Sequence, residues 1–363
     1  MRNNFCELLK ISNSHINSHD MFHDILFLIL GLVLIIAGGN YLTDGAVSVA
    51  KRFGISSLVI GLTIVAFGSS TPDFVVCFIS TVTGKSELAL GDILGANIFD
   101  ITLVIGVVAL IAPVTISSEM AFKDLPMLAL SSLALFICAD DRIVDGTPLN
   151  IVNRTDGLML LSLFVIFMCY TMAMVKRPAV KPLSASPRPA PVAKERSVEK
   201  AEAADADNTR VMKPWLAAVC ILAGLAGLVF GGQWLVDGAS GLARRLGMSE
   251  ALVGLTIVGI GSSIPDLSTS VIAAIKKQPG IAIGNVVGAC IFNVFFIIGL
   301  CSTISPLRAG SLTFVDFGTL VVGSLMVLLF GDVIVKRTIT RGQGAVLVAI
   351  YVAYMTYLIF SAR

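Results

Sequence analysis

Runs of mostly apolar residues, each about 20 long or longer, recur from one end of this chain to the other, and that length is what a helix needs to cross the hydrocarbon core of a bilayer. Composition points the same way. Of the 363 residues, 56% are hydrophobic and only 14% charged, and the mean hydropathy is +0.89. A soluble domain carries about 25% charged residues, and disordered chains are poorer still in apolar ones. Both classes are excluded, and an all-α polytopic membrane protein remains, with the lipid bilayer as its first partner. The net charge of +2 is small and scattered, so no nucleic-acid partner is expected.

We read ten transmembrane helices, over residues 24–50, 55–83, 88–112, 122–139, 157–175, 214–243, 249–275, 281–304, 312–333 and 343–361. Residues 1–20 form a polar N-terminal segment without the pattern of a cleaved signal peptide. Residues 176–213 combine nine Lys or Arg, five acidic residues and five prolines, a composition that buries no apolar area and reads as a flexible linker. The organisation is therefore a first five-helix unit at 21–175, a linker at 176–213 and a second five-helix unit at 214–363. Cytoplasmic loops carry the Lys/Arg excess, which puts this linker in the cytoplasm and both termini outside. The seven cysteines form no CxxC pair and are expected as buried thiols, not disulfides or a zinc site.

The two units are copies. Residues 61–73 read GLTIVAFGSSTPD and residues 254–266 read GLTIVGIGSSIPD, ten identities in thirteen at an offset of 193. The same offset carries GDILGANIFD (residues 91–100) onto GNVVGACIFN (residues 284–293). Five spans, an odd number, separate equivalent positions, so the second copy lies upside down. Inverted repeats with ion sites near the midplane, at interrupted helices, are a recurring plan of secondary transporters.

The segments from Phe53 to Gly84, Ser86 to Phe122, Leu246 to Ile275 and Gln278 to Leu307 contain no Lys, Arg or His, yet they hold Asp73, Asp92, Asp100 and Asp266. A carboxylate in low dielectric must be protonated, paired or bound to a cation. Pro72 and Pro265 each lack an N–H, so the carbonyls of Gly68 and Gly261 lose their helical donors, and a helix break is expected at each place. Around the breaks stand the hydroxyls of Ser69, Ser70, Ser262 and Ser263, with Asp100 and Asn293 added by the later motif. An all-oxygen set suits Ca²⁺ or Na⁺ and not zinc or copper. Three carboxylates, Asp73, Asp100 and Asp266, give a formal charge near −3. One Ca²⁺ or several Na⁺ would offset it, and mutual exclusion between them is exchange.

Other residues read more plainly. Asp44 and Asp237 are expected at the interface, Asp92 as a cap at a helix start, and Asp140, Asp141, Asp145 and Asp156 as solvated loop acids. The glycines of Gly224-Leu225-Ala226-Gly227 fit close helix packing.

At these motifs the chain resembles the cation/calcium exchanger superfamily, in its sodium/calcium exchanger branch. That family carries Gly-Thr/Ser-Ser-x-Pro-Glu followed by Gly-Ser-Asn-Ile-x-Asn/Asp in each of two inverted repeats. The resemblance implies Ca²⁺ ligation by Asp73 and Asp266, by Ser69, Ser70, Ser262 and Ser263, and by the backbone of Ala66 and Gly259. Asp100 and Asn293 take the third acidic position and its amide counterpart. It implies no cofactor beyond the transported ions, a cytoplasmic (inner) membrane location, and alternating access in which the first and sixth helices slide across the other eight. Three departures stand out: Asp replaces Glu in both copies, Ala96 and Ala289 replace Ser, and Cys290 replaces Asn. H⁺ is accordingly the alternative counter-ion to Na⁺. A cation channel and an intramembrane aspartyl protease are remote alternatives. The Gly-x-Gly-Asp form of the protease site is not met, since Asp92 follows Ala89-Leu90-Gly91, and no enzyme activity is expected. Oligomeric state is left open.

Overall fold

The fold was analysed in a computed structural model that describes residues 18–52, 70–116, 120–139, 150–175, 212–275, 279–334 and 337–361. Ten helical spans appear among them. We label these α1 (Ser18–Arg52), α2 (Thr71–Val82), α3 (Ser86–Ile111), α4 (Met120–Ala139), α5 (Arg154–Val175), α6 (Pro214–Leu246), α7 (residues 250–275), α8 (residues 279–304), α9 (residues 314–334) and α10 (Arg341–Ser361). Eight helices are long and apolar enough to cross a membrane by themselves. The shorter apolar helices, Thr71–Val82 and Glu250–Ile264, belong to α2 and α7, the spans that carry the duplicated Pro-Asp motif.

Local sequence sets the helix ends. α6 starts with Pro214 in its first turn, where a missing N–H costs nothing, and stops at Gly247, whose φ of 65° is open to glycine at no steric cost. Asp156 was expected in a solvated loop. Its carboxylate instead accepts the backbone N–H of Asn153 at 2.7 Å and so caps the start of α5, because the first turn of a helix leaves donors unsatisfied.

Four short strands tie the repeats together. β1 (Val114–Thr115) pairs with β4 (Thr338–Ile339), in the register Val114↔Ile339, and β2 (Ile151–Val152) pairs with β3 (Leu307–Arg308), in the register Val152↔Leu307. Both pairs are antiparallel, and each joins the end of a third helix to the segment before the other repeat's fifth. Six helices separate β1 from β4 and four separate β2 from β3, so the members of each pair share a membrane face. A single helix, α4, separates the two pairs and puts them on opposite faces. The strand pairing thus fits helices that alternate in direction from α4 to α9, and it follows the inverted symmetry.

Burial runs from centre to rim. In the Ser86–Ile111 span 83% of the best apolar window is buried, against 11% in Arg154–Thr171. α3 and α8 form the centre, with Ile93, Leu94, Ile98, Ile101 and Phe295 fully enclosed. The outer helices leave Phe22, Val165, Ile166, Leu222, Phe230, Ile359 and Phe360 exposed, an apolar rim of the kind found on membrane-facing helices. Cys77, Cys138, Cys290 and Cys301 are buried and form no disulfide among the described residues, but Cys169 is exposed and Cys220 half-buried, because they lie on this rim. Cys6 lies outside the described residues.

α1 and α6 pack antiparallel along their length on a glycine seam. A Cβ placed on Gly38 would sit 2.9 Å from the Gly224 carbonyl, and one on Gly231 would sit 2.9 Å from the Gly31 carbonyl. Gly31, Gly38 and Gly45 recur every seven residues, as do their mates Gly224, Gly231 and Gly238. Backbone meets backbone here, as the glycine-rich sequence led us to expect.

Candidate functional site

The first Pro-Asp motif opens a helix. Thr71 begins α2 with Pro72 in its first turn, where no donor is lost, and the Phe74 N–H returns to the Ser70 carbonyl at 3.0 Å. Asp73 follows directly and is 2% exposed. Ser70 is buried beside it. Ala66, Gly68 and Ser69 lie outside the described residues.

The second motif departs from expectation. The break expected at Gly261 and Pro265 is not there: the α-helical part of α7 runs unbroken from Gly259 to Ile275. One proline deletes one hydrogen bond, which bends a helix without ending it when its neighbours keep helical dihedrals. The irregularity sits about two turns before Pro265, in a π-helical segment at Gly254–Val258. That wider turn lies against α3. A Cβ on Gly254 would be 2.8 Å from the Asp92 nitrogen, and one on Gly259 would be 2.8 Å from the Ala96 nitrogen. Glycine at both places lets the two backbones touch. Ser262, Ser263 and Asp266 follow on the same helix, all buried.

Two further π turns, at Phe99–Val104 in α3 and Asn293–Ile298 in α8, hold the later motif. They are mates in the repeat, and π turns inside α-helices concentrate at functional sites. Asp100 and Asn293 sit in the first turn of each and are fully buried. The Asn293 amide donates to Asp73 Oδ2 at 2.8 Å and to Asn97 Oδ1 at 3.1 Å, joining the two repeats directly. Asn97 donates in turn to the Cys290 carbonyl at 3.4 Å, a contact between equivalent positions.

The carboxylates feel one another. Asp73, Asp100 and Asp266 lie within mutual electrostatic range, and Asp92 lies within range of Asp73. Among the described residues several oxygens here make no well-formed hydrogen bond (Ser70 Oγ, Asp73 Oδ1, Asp92 Oδ2, both oxygens of Asp100, Ser263 Oγ and Asn293 Oδ1), although the Ser263 hydroxyl lies in range of Asp100 and that of Ser262 in range of Asp73. Buried acceptors left unpaired cost free energy, so their accumulation in one place marks a site held for something other than stability. Ser262 is engaged. Its hydroxyl reaches Asp92 Oδ1 at 3.3 Å and the Gly259 carbonyl at 3.2 Å. Among the described residues no three His, Cys, Asp or Glu side chains converge tightly enough to hold a metal ion by themselves.

Three polar residues of this centre were not singled out as site residues from sequence. Asp92 was expected to cap a helix start, but α3 begins six residues earlier at Ser86, and Asp92 lies fully buried inside it. Asn97 joins the amide network, and Asn285 donates to Asp266 Oδ1 at 3.4 Å. The signal was available: Asp92 falls in a segment without any basic residue, and its mate at the constant offset is Asn285.

Inverted five-helix repeats, mirrored π turns and buried carboxylates meeting between the halves define a multi-pass membrane transporter of the exchanger class. The chain belongs to the sodium/calcium exchanger protein family, whose model matches residues 23–173 and 216–360. It is 33% identical to the putative antiporter CaxA of Alkalimonas amylolytica over 93% of this chain and 98% of that protein. It is 31% identical to the inner membrane protein YrbG of Escherichia coli (strain K12), over 77% of this chain and 79% of that one. A solved structure of the sodium-calcium exchanger NCX_Mj, soaked with Na⁺ and Sr²⁺, superposes with a TM-score of 0.58 at 25% identity and covers 93% of this chain and 98% of that chain.

Proposed function

We propose that this protein is a secondary antiporter that exchanges Ca²⁺ for Na⁺ by alternating access in the cytoplasmic (inner) membrane. The observation that carries the reading is the meeting of Asp73 and Asp100 from one repeat with Asp266 from the other in electrostatic range, in a buried centre rich in oxygens that lack well-formed hydrogen bonds. Ca²⁺ takes six to eight oxygens from carboxylates, carbonyls and hydroxyls together, so two aspartates with serine and backbone donors suffice where a triad of acidic side chains is absent. Ser70, Ser262, Ser263 and the Gly259 carbonyl supply such donors, and Asp100 and Asn293 complete the charge. The names of NCX_Mj and of the family support Na⁺ as counter-ion.

Exchange requires that the loaded site cross and the empty one stay put. Several carboxylates with no cation among them are costly in low dielectric, which sets that barrier. The glycine seam makes α1 and α6 one body able to slide past the buried core of the other helices. The termini are assigned to the outside and the 176–213 linker to the cytoplasm, between two five-helix units. A specific feature favours H⁺ as second reading: Ala96 and Ala289 offer no hydroxyl where the family has Ser.

Flux of radiolabelled Ca²⁺ in proteoliposomes, driven separately by a Na⁺ gradient and by a pH gradient, tests both. Uptake driven by Na⁺ at constant pH is expected. Uptake driven only by the pH gradient would replace Na⁺ with H⁺, and Ca²⁺ flux under neither gradient would end the exchange reading.

A further inference from the structure

Asp92 is the carboxylate of the centre that the exchange reading does not use. It is fully buried in the middle of α3, and among the described residues no cationic side chain pairs with it. Among the described residues its side chain has one hydrogen bond, from Ser262 at 3.3 Å, and that hydroxyl has one proton to share among Asp92, the Gly259 carbonyl and the neighbouring Asp73. The other oxygen, Oδ2, has no partner, and neither has Oδ1 of the nearby Asp73. The repeat supplies a control. At the mirrored place Asn285 donates to Asp266, which is what a residue kept for structure would do there. Asp92 cannot donate as an anion, so it repels Asp73 where its mate steadies Asp266.

The surroundings select the ligand. The free atoms are carboxylate and hydroxyl oxygens, with Ser70 Oγ also unpartnered, so a hard cation fits. Asp73, Asp100 and Asp266 already carry a formal charge near −3, which one divalent ion does not fully offset. Asp92 adds one unit of negative charge and therefore calls for one unit of positive charge. We propose that Asp92 is a cation ligand, forming with the free oxygen of Asp73 a seat for one Na⁺ that exists in the first repeat only. The inference rests on the exchange reading and adds a ligand to it.

The test uses the full chain in proteoliposomes, with Na⁺ as the probe, and compares wild type with Asp92→Asn. In protein that still exchanges Ca²⁺ for Ca²⁺ in the absence of Na⁺, the Hill coefficient for Na⁺ is expected to drop by about one, since one seat is lost. The dependence of Na⁺-driven flux on a clamped membrane potential shifts with it, because each cycle moves one charge fewer. A Hill coefficient and potential dependence equal to wild type, whatever happens to the rate, overturns the proposal and makes Asp92 structural. Asp92→Glu keeps the charge. It is expected to keep the wild-type Hill coefficient while moving the half-saturating Na⁺ concentration several-fold, and an unmoved half-saturation overturns the seat even if Asp92→Asn does not fold. Wild-type protein without Ca²⁺ flux under any gradient fails the exchange reading and the seat with it; wild-type flux with an indifferent Asp92 fails the seat alone.

Discussion

In the first repeat α3 carries two carboxylates, Asp92 and Asp100, into the centre of the molecule; in the second, α8 carries the amides Asn285 and Asn293 to the mirrored places. Much of the backbone around these four residues is shared. Both helices take a π turn at the same point, both end in a strand that pairs with the other repeat, and both are enclosed by their neighbours. Duplication has preserved the backbone and let the charge diverge. The reason is electrostatic: two unit charges about 4 Å apart repel by about 4 kcal/mol at an effective dielectric constant near 20. With amides on one side, Asn293 can donate to Asp73, and the acids of the other side remain tolerable. Geometry can be symmetric at no cost, whereas a doubled set of buried anions cannot.

The carboxylate that both repeats kept gives the largest expected effects. Asp73→Asn and Asp266→Asn should each reduce Ca²⁺ exchange at least about 100-fold, since removing one member of a buried charged set costs about 3–5 kcal/mol. Radiolabelled Ca²⁺ uptake into vesicles checks it, and normal uptake by the Asp266→Asn protein would remove that residue from the site. Equal losses in the two variants mean that the pair acts symmetrically. The amides should then separate the halves. Asn293→Ala deletes a 2.8 Å bond to Asp73 and a second bond to Asn97, whereas Asn285→Ala deletes one bond of 3.4 Å. A hydrogen bond to a charged group contributes about 1.5–3 kcal/mol, so Asn293→Ala should weaken apparent Ca²⁺ affinity about tenfold or more and Asn285→Ala clearly less. The reverse order would break the account of how the charge is balanced.

The glycine seam offers the opposite contrast, because there the mates do the same work. Gly38→Ala and Gly231→Ala each place a methyl group against a carbonyl of the facing helix, and overpacking of this kind costs about 1–3 kcal/mol. The two variants should lose thermal stability and transport rate to the same degree, with Ca²⁺ affinity little changed. A shift in affinity in only one of them would mean that α1 and α6 do not act as one body.

How far the sequence reached follows from which physics each feature obeys. Span number, inversion and the carboxylate places were readable, because bilayer thickness and the cost of buried charge act on composition and spacing alone. The π turns at Gly254, Phe99 and Asn293 were not, since an extra residue in a helical turn leaves no mark in a run that is apolar on every side. For the same reason the break expected at Pro265 was placed about two turns too late. Proline announces a lost hydrogen bond, but the irregular turn fell where Gly254 and Gly259 let two backbones meet. Asp92 was misread because a cap and an intramembrane ligand use the same side chain. Only the position of the helix start, at Ser86, separates them.

The smallest effect is expected where the asymmetry is merely on the surface. Asp237 and its mate Asp44 were both assigned to the interface, and in the structure Asp237 binds Lys85 at 3.1 Å, with the Asp237 side chain 70% exposed. This pair joins α6 to the segment between α2 and α3, so it spans the boundary between the glycine-seamed pair and the core. An exposed ion pair contributes about 0–1 kcal/mol and is screened by salt. Lys85→Gln should therefore change the exchange rate less than about threefold at low ionic strength, and the difference should vanish at high salt. A larger change that persists in salt would mean that the pair biases the position of α6 against the core, and that charge at the rim, as well as at the centre, sets the two repeats apart.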